Sequence, residues 1–139
     1  RALVDHHPRA IMLSTTEPRI AYVNRMFRSV TGYLEEEVVG QAPSVLSSGL
    51  HSPEFYQTMW QSLSNHGRWE GVIWNRRKNG ETYPQWLTIY PVQREGRQFF
   101  AGIFTDVGDI AAGDERLASL AKPFSVPGIP QGPGVPAGA

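Results

Sequence analysis

The chain has 139 residues, a length typical of a single domain, and 40% of them are hydrophobic. Thirteen lysines and arginines balance thirteen aspartates and glutamates, which argues against a nucleic-acid-binding protein because such proteins carry a basic excess. No cysteine is present, so disulfides, thiolate metal sites and cysteine nucleophiles are excluded. No apolar run approaches the roughly 20 residues that span a bilayer, and we expect a cytoplasmic chain without membrane contact.

The N-terminal region predicts a hairpin followed by two short helices. Residues 10–14 and 20–23 are apolar runs on either side of a turn-rich segment, a pattern typical of paired strands. Asn24 is a good helix cap and should open a helix over residues 25–30. Residues 34–39 predict a second helical turn.

A longer helix follows a segment over residues 41–51 that should be irregular, because it is rich in Ala, Pro, Gly and Ser. Ser52 as the cap and Pro53 at the first helical position form the clearest helix start in the chain. One apolar stripe runs along this helix and consists of Phe55, Tyr56, Met59, Trp60 and Leu63. The stripe predicts a helix that packs on a sheet, as part of the core, as a pocket wall, or as both.

Three strand-like segments follow, over residues 69–77, 82–92 and 99–106. The Asn-Gly pair at residues 79–80, between the first two segments, is a strong hairpin signal. The basic trio at residues 76–78 should therefore lie at a hairpin tip, where such charges are usually solvated and protect a sheet edge. The order of elements predicts an α+β fold in which short helices cover one face of a five-stranded antiparallel sheet.

Alternation along the long strands predicts the wall of a small-molecule site. One face combines Asn75 and Gln85 with apolar neighbours, and an apolar wall with few polar groups is typical of a ligand pocket. The alternative is that these two amides hydrogen-bond across the strands inside a filled core. Gly71 and Gly102 favour the pocket, because a glycine within a strand often marks a close approach. The cofactor-binding residues that we expect are Asn75, Gln85, Trp60, Trp69, Ile73, Leu87 and Phe104.

The opposite face of the predicted sheet is also apolar, since it carries Val72, Trp74, Trp86 and Ile103. A sheet with two apolar faces needs a second cover. That cover is either the N-terminal segment over residues 1–9 or another chain, and we expect a homodimer. A second hypothesis is therefore a module with a filled core that acts only in dimerisation and interdomain coupling.

Several segments together give the chain a specific resemblance to PAS domains, over about residues 10–109. The resemblance rests on residues 20–27 (IAYVNRMF), 31–41, 55–63 (FYQTMWQSL), 67–87 and 101–107 (AGIFTDV). The chain is especially similar to the PAS modules that precede diguanylate cyclase, cyclic-di-GMP phosphodiesterase and histidine kinase domains. The resemblance implies a bacterial sensory domain with a five-stranded antiparallel sheet and a ligand cavity between the sheet and its short helices.

The resemblance also bears on the ligand. Among PAS domains with a known ligand, the chain is most similar to redox-sensing members that hold FAD, and Asn75 and Gln85 fall where flavin-binding members carry amides. Phe104 stands where the photosensing members have a signalling Gln, and the lack of cysteine excludes their photo-adduct. Haem is not expected, because His51 and His66 lie outside the apolar stripe. No metal site is expected either.

Enzymatic activity is not expected of this domain. Ser47, Ser48 and His51 are close in sequence, but no nucleophile motif surrounds them. The chain has no P-loop and no dinucleotide-binding glycine motif. We therefore expect a sensor that binds a small ligand and acts on a separate effector.

The domain layout follows from composition. Residues 1–9 form an N-terminal cap segment, residues 10–109 the PAS domain, and residues 110–122 the start of a signalling helix. Residues 123–139 hold five Pro, four Gly and no charge, which predicts a disordered or artificially added tail. A chain that starts at Arg1 without Met is expected to be part of a longer protein, with an effector for cyclic-di-GMP turnover or a histidine kinase.

Overall fold

A computed structural model describes residues 5–108. Its elements are β1 (Ala10–Thr15), β2 (Ile20–Val23), α1 (Arg25–Thr31), α2 (Glu35–Val38), a 3₁₀ helix (Pro43–Leu46), α3 (Pro53–His66), β3 (Trp69–Arg76), β4 (Thr82–Arg94) and β5 (Arg97–Asp106). The strands form one antiparallel sheet in the order β2-β1-β5-β4-β3. The predicted α+β fold is therefore confirmed. The predicted signalling helix and tail lie outside the described residues, as do the first four residues of the N-terminal segment.

Two local predictions were incomplete. Strands β4 and β5 extend to Arg94 and from Arg97, so that only Glu95 and Gly96 separate them. Both turn residues have positive φ, 52° and 75°, as the tight hairpin turn that matches strand twist requires. The extra strand residues are polar and solvent-exposed, which is why the apolar pattern missed them. The segment predicted to be irregular contains the 3₁₀ helix Pro43–Leu46.

The core lies between the sheet and its helices. Phe27 of α1 packs edge-on against Phe104 of β5, with ring centroids 5.9 Å apart. Met59 of α3 and Ile73 of β3 belong to the same buried cluster. Burial of such side chains is the main stabilising contribution in a domain of this size.

Asn24 fixes the start of α1 to the first strand. Its Oδ1 accepts hydrogen bonds from the backbone N–H of Phe27 (3.0 Å) and of Ile11 (2.9 Å). Its Nδ2 donates to the carbonyl of Arg9 (2.9 Å), and the residue is fully buried. One side chain thus caps a helix and satisfies two backbone groups at the entry to β1.

Replacing Asn24 with Ala is expected to destabilise the domain by about 2–4 kcal/mol, because a cap is lost and buried backbone groups lose their partners. The measurement is urea unfolding at neutral pH. The matched control is Ser52→Ala, which removes the cap of α3 (Ser52 Oγ accepts from Phe55 N at 3.2 Å) and should lower stability by only about 1 kcal/mol. Equal losses in the two variants would contradict this account.

Candidate functional site

A cavity lies between the sheet and the helical side of the domain. The cavity volume that the centre of a water molecule can reach is about 80 Å³. On the same measure, a cavity that holds one water has a volume of roughly 10–15 Å³. The cavity can therefore hold several water-sized groups. Its helical wall consists of Leu46, Tyr56, Met59 and Trp60.

Strand register builds the opposite wall. Ile73 of β3 lies across from Gln85 of β4, and Leu87 lies across from Phe104 of β5. Because partners across an antiparallel pair point to the same side, these four side chains share one face of the sheet. The alternation predicted from the sequence thus leads to a continuous wall under α3.

The seven predicted cofactor-binding residues are mostly brought together. Six of them line the cavity: Trp60, Ile73, Asn75, Gln85, Leu87 and Phe104. Trp69 is not part of the lining. Its ring lies over Gly71, where an added Cβ would come within 3.1 Å of the indole, and it packs edge-on against Phe55 with centroids 5.9 Å apart.

The two amides of the wall belong to one hydrogen-bonded chain. The Tyr83 hydroxyl donates to Gln85 Oε1 at 2.8 Å. In the amide orientation that satisfies both groups, Gln85 Nε2 donates to Asn75 Oδ1 and Asn75 Nδ2 donates to the Leu46 carbonyl, each at 3.2 Å. The amides are therefore satisfied within the protein, and a ligand that contacts them must offer equivalent hydrogen bonds.

Gly102 is a lining residue that the sequence analysis placed on the correct face but did not include in the site. A Cβ at this position would lie 3.5 Å from Leu87 Cδ1, an ordinary contact, so the strand itself does not demand glycine. Met12 of β1 lies directly across from Gly102 and also lines the cavity. The periodicity of the strand was the signal that could have identified it.

His51 joins the loop before α3 to strand β3. Its Nε2 accepts a hydrogen bond from the Trp74 N–H at 2.9 Å, while Ser48 Oγ donates to the Trp74 carbonyl at 2.8 Å. The imidazole also stacks on Phe55, with centroids 4.1 Å apart. Ser48 and His51 thus each bind the Trp74 backbone. Burial lowers the pKa of His51 to about 4, so the ring is neutral near pH 7 and Nε2 is free to accept this hydrogen bond.

Stability is expected to fall as the pH drops from about 6.5 to about 4, because the unfolded chain takes up a proton at His51 that the folded domain excludes. The slope from this residue is at most about 1.4 kcal/mol per pH unit, and less because the ring is only partly buried. Urea unfolding across this range measures it. His51→Gln should flatten the slope, since Gln still accepts the hydrogen bond, whereas the exposed His66→Gln should not. Identical slopes in the two variants would refute the assignment.

A second cluster joins the β3–β4 hairpin to the end of β5. The Arg77 guanidinium lies 3.9 Å from the centroid of the Tyr83 ring and donates to the Val30 carbonyl at 2.7 Å. It also forms ion pairs with Glu81 and Asp106. The sequence analysis expected this arginine at a solvated tip, but only 20% of its side chain is exposed. Burial raises the pKa of Tyr83 well above its usual range, so its hydroxyl remains a donor to Gln85.

Two negative findings concern the described residues. No helix among residues 5–108 is long and apolar enough to cross a membrane. The same part of the chain brings together no group of three His, Asp or Glu side chains suited to a metal ion.

A twisted antiparallel sheet with a small cavity under short helices is the architecture of a sensory PAS-type domain, and comparison with known proteins agrees. The family model described as PAS domain matches residues 8–109. The chain therefore belongs to the PAS domain family.

The similar proteins include a regulatory protein, a receptor and a histidine kinase. The chain is 34% identical over 90 residues to a nitrogen fixation regulatory protein of Klebsiella oxytoca, covering 65% of this chain and 18% of that protein. It is 32% identical over 88 residues to the aerotaxis receptor of Escherichia coli, covering 62% and 17%. It is 30% identical over 104 residues to blue-light-activated histidine kinase 2 of Erythrobacter litoralis, covering 73% and 30%. The chain thus spans less than a third of each of these relatives.

Solved structures share the fold. A PAS domain of a Colwellia psychrerythraea protein superposes with a TM-score of 0.72 at 21% identity, covering 78% of this chain and 93% of that one. The LOV domain of an Erythrobacter litoralis blue-light activated histidine kinase gives a TM-score of 0.64 at 28% identity, covering 73% and 97%. Both comparisons cover nearly the whole of the solved domain.

Proposed function

We propose that this sensory PAS domain binds a small ligand in the cavity between sheet and helices and passes the signal through the end of β5 to an effector. The observation that carries the proposal is the cavity itself: a mostly apolar wall in which Asn75 and Gln85 are the buried amides. Such a wall binds a flat molecule through its faces and orients it through few polar contacts.

A flavin-type ring is the ligand class that we propose. Its edge presents both donors and acceptors, which matches the mixed character of the Asn75 and Gln85 amides. Similarity to a blue-light-activated histidine kinase supports a chromophore, because ordinary protein groups do not absorb blue light. The isoalloxazine ring of FAD suits these residues. Without cysteine, the ring would act by binding or redox state and not by a photo-adduct.

A route from the cavity to the effector side supports the signalling part of the proposal. Gln85 accepts from the Tyr83 hydroxyl, and the Tyr83 ring lies under Arg77. Arg77 in turn pairs with Asp106, whose Oδ1 accepts from the Gly108 N–H at 2.8 Å. A ligand that competes for Gln85 would therefore disturb contacts that hold the last described residues of the chain.

We further infer that the domain senses and does not catalyse, since Ser48 and His51 both bind the Trp74 backbone. The proposed effector is a histidine kinase or a domain for cyclic-di-GMP turnover. Similarity to a histidine kinase supports the first of these.

A second candidate function is dimerisation without a ligand. It is favoured by the closed hydrogen-bonded chain from Tyr83 through Gln85 and Asn75, which needs no outside partner. The outer sheet face suits a second copy, because Val72 and Ile103 are only half-buried there. Glu70 accepts from Trp86 Nε1 on this face, which adds a polar rim.

Replacing Gly102 with Val is expected to fill the cavity and lower flavin binding about tenfold or more, because the new methyl groups occupy the space of the ring. The measurements are the absorption spectrum of the purified protein, its flavin content after denaturation, and titration with added riboflavin and with added FAD. Ile103→Val on the same strand is the control, since it faces away from the cavity and should leave binding unchanged.

A colourless wild-type protein that neither releases flavin nor binds added riboflavin or FAD would eliminate the flavin proposal. Equal binding by the Gly102→Val variant would instead remove this cavity as the site.

For the second candidate, light scattering is expected to detect a homodimer that Ile103→Glu converts to monomer, because a charge on an apolar interface is unfavourable. Thr16→Glu, at an exposed turn position, should leave the dimer intact. A strict monomer at high protein concentration would rule out the dimerisation function.

A further inference from the structure

We propose that the cavity accepts only an uncharged ligand and that residues 5–108 form no phosphate-recognition site, so that a flavin is recognised by its ring and not as a nucleotide. This inference rests on the proposed function, because it concerns the ligand of the same cavity. It distinguishes recognition of a phosphate-free flavin ring from recognition of the whole FAD molecule that the family resemblance implies.

The cavity wall contains no carboxyl, amino, guanidinium or imidazole side chain. Its polar lining groups are the hydroxyls of Ser14, Ser47 and Tyr56 and the amides of Asn75 and Gln85, all of them neutral. A buried ion without an opposite charge is strongly disfavoured, and neutral hydrogen bonds do not compensate it fully. Any group that enters this space is therefore uncharged.

The helical residues that line the cavity lie in a part of the sequence that has no lysine or arginine. Residues 29–67 contain no lysine or arginine, and this stretch includes the 3₁₀ helix and all of α3. The same stretch contains Glu35, Glu36, Glu37 and Glu54. Glu54 lies in the first turn of α3, where the helix dipole would otherwise favour an anion. A ligand phosphate near this stretch would be repelled by the glutamates and would find no lysine or arginine within it.

Five of the ten lysines and arginines among residues 5–108 form ion pairs with carboxylates. Ion pairs join Arg25 and Arg28 to Asp5, Arg68 to Glu70, Arg77 to Glu81 and Asp106, and Lys78 to Glu37. Two cations directly follow lining residues in the sequence: Arg19 follows Pro18, and Arg76 follows Asn75. Arg76 points to the opposite face of β3 from Asn75, because neighbouring residues of a strand alternate between faces. Glu17 precedes Pro18, so this turn contributes no net charge. Arg19 is therefore the position where a phosphate contact has to be tested.

Riboflavin and FMN form a matched pair of probes, since they differ only in the terminal phosphate. Calorimetric titration of the 139-residue chain is expected to give an FMN affinity no higher than that of riboflavin. Added salt should leave the affinity for riboflavin unchanged. It should not lower the affinity for FMN, because salt screens the repulsion between the FMN phosphate and the glutamates. The variant Arg19→Gln should keep the same ratio of affinities.

The inference is overturned if FMN or FAD binds about threefold or more tightly than riboflavin. Loss of that preference in added salt or in the Arg19→Gln variant would identify a charged contact with the phosphate. A second pair, 2-naphthamide and 2-naphthoate, tests charge without a flavin, and the amide should bind about tenfold or more tightly. A carboxylate that binds as well as the amide overturns the inference and leaves the ligand cavity standing. If none of these probes binds, the proposed ligand-binding function is refuted, and the inference falls with it.

Discussion

The register of three neighbouring strands is the constraint on which the site depends. Ile73 faces Gln85 across one strand pair, and Leu87 faces Phe104 across the next, so that the apolar wall and its amides lie on one side. A slip of one residue in β4 would turn Gln85 and Leu87 to the opposite face. The hairpin at residues 79–80 and the two-residue turn at Glu95 and Gly96 hold this register at both ends of β4.

The amide chain within the wall is the point at which a ligand would meet the hydrogen bonds of the protein. Without a ligand, the Tyr83 hydroxyl and the two amides satisfy each other and end on the Leu46 carbonyl. With a ligand, the same groups must exchange partners, because a buried donor or acceptor left alone is unfavourable. The sensing and the ligand-free hypotheses thus share one network and differ in whether an outside molecule enters it.

Local signals in the sequence were sufficient for most of the fold. Asn24, Ser52 and the Asn-Gly pair at residues 79–80 each act through chemistry within a few residues, and period-two alternation placed Gln85 on the correct face. Long-range contacts were not accessible in this way. Arg77 seemed a tip residue because its partner Asp106 is 29 positions away, and the contact of His51 with Trp74 spans 23. The position of Trp69 over Gly71 depends on a side-chain rotamer, which periodicity does not determine.

The four tryptophans of the chain occupy different surroundings, and Trp60 is the one that lines the cavity. Its indole meets the Phe100 ring edge-on, with centroids 5.5 Å apart, at the wall where a ligand would lie. The domain therefore contains its own optical probe of occupancy. With the other three indoles replaced by phenyl rings, the emission of Trp60 would follow ligand entry directly, without any label attached to the protein.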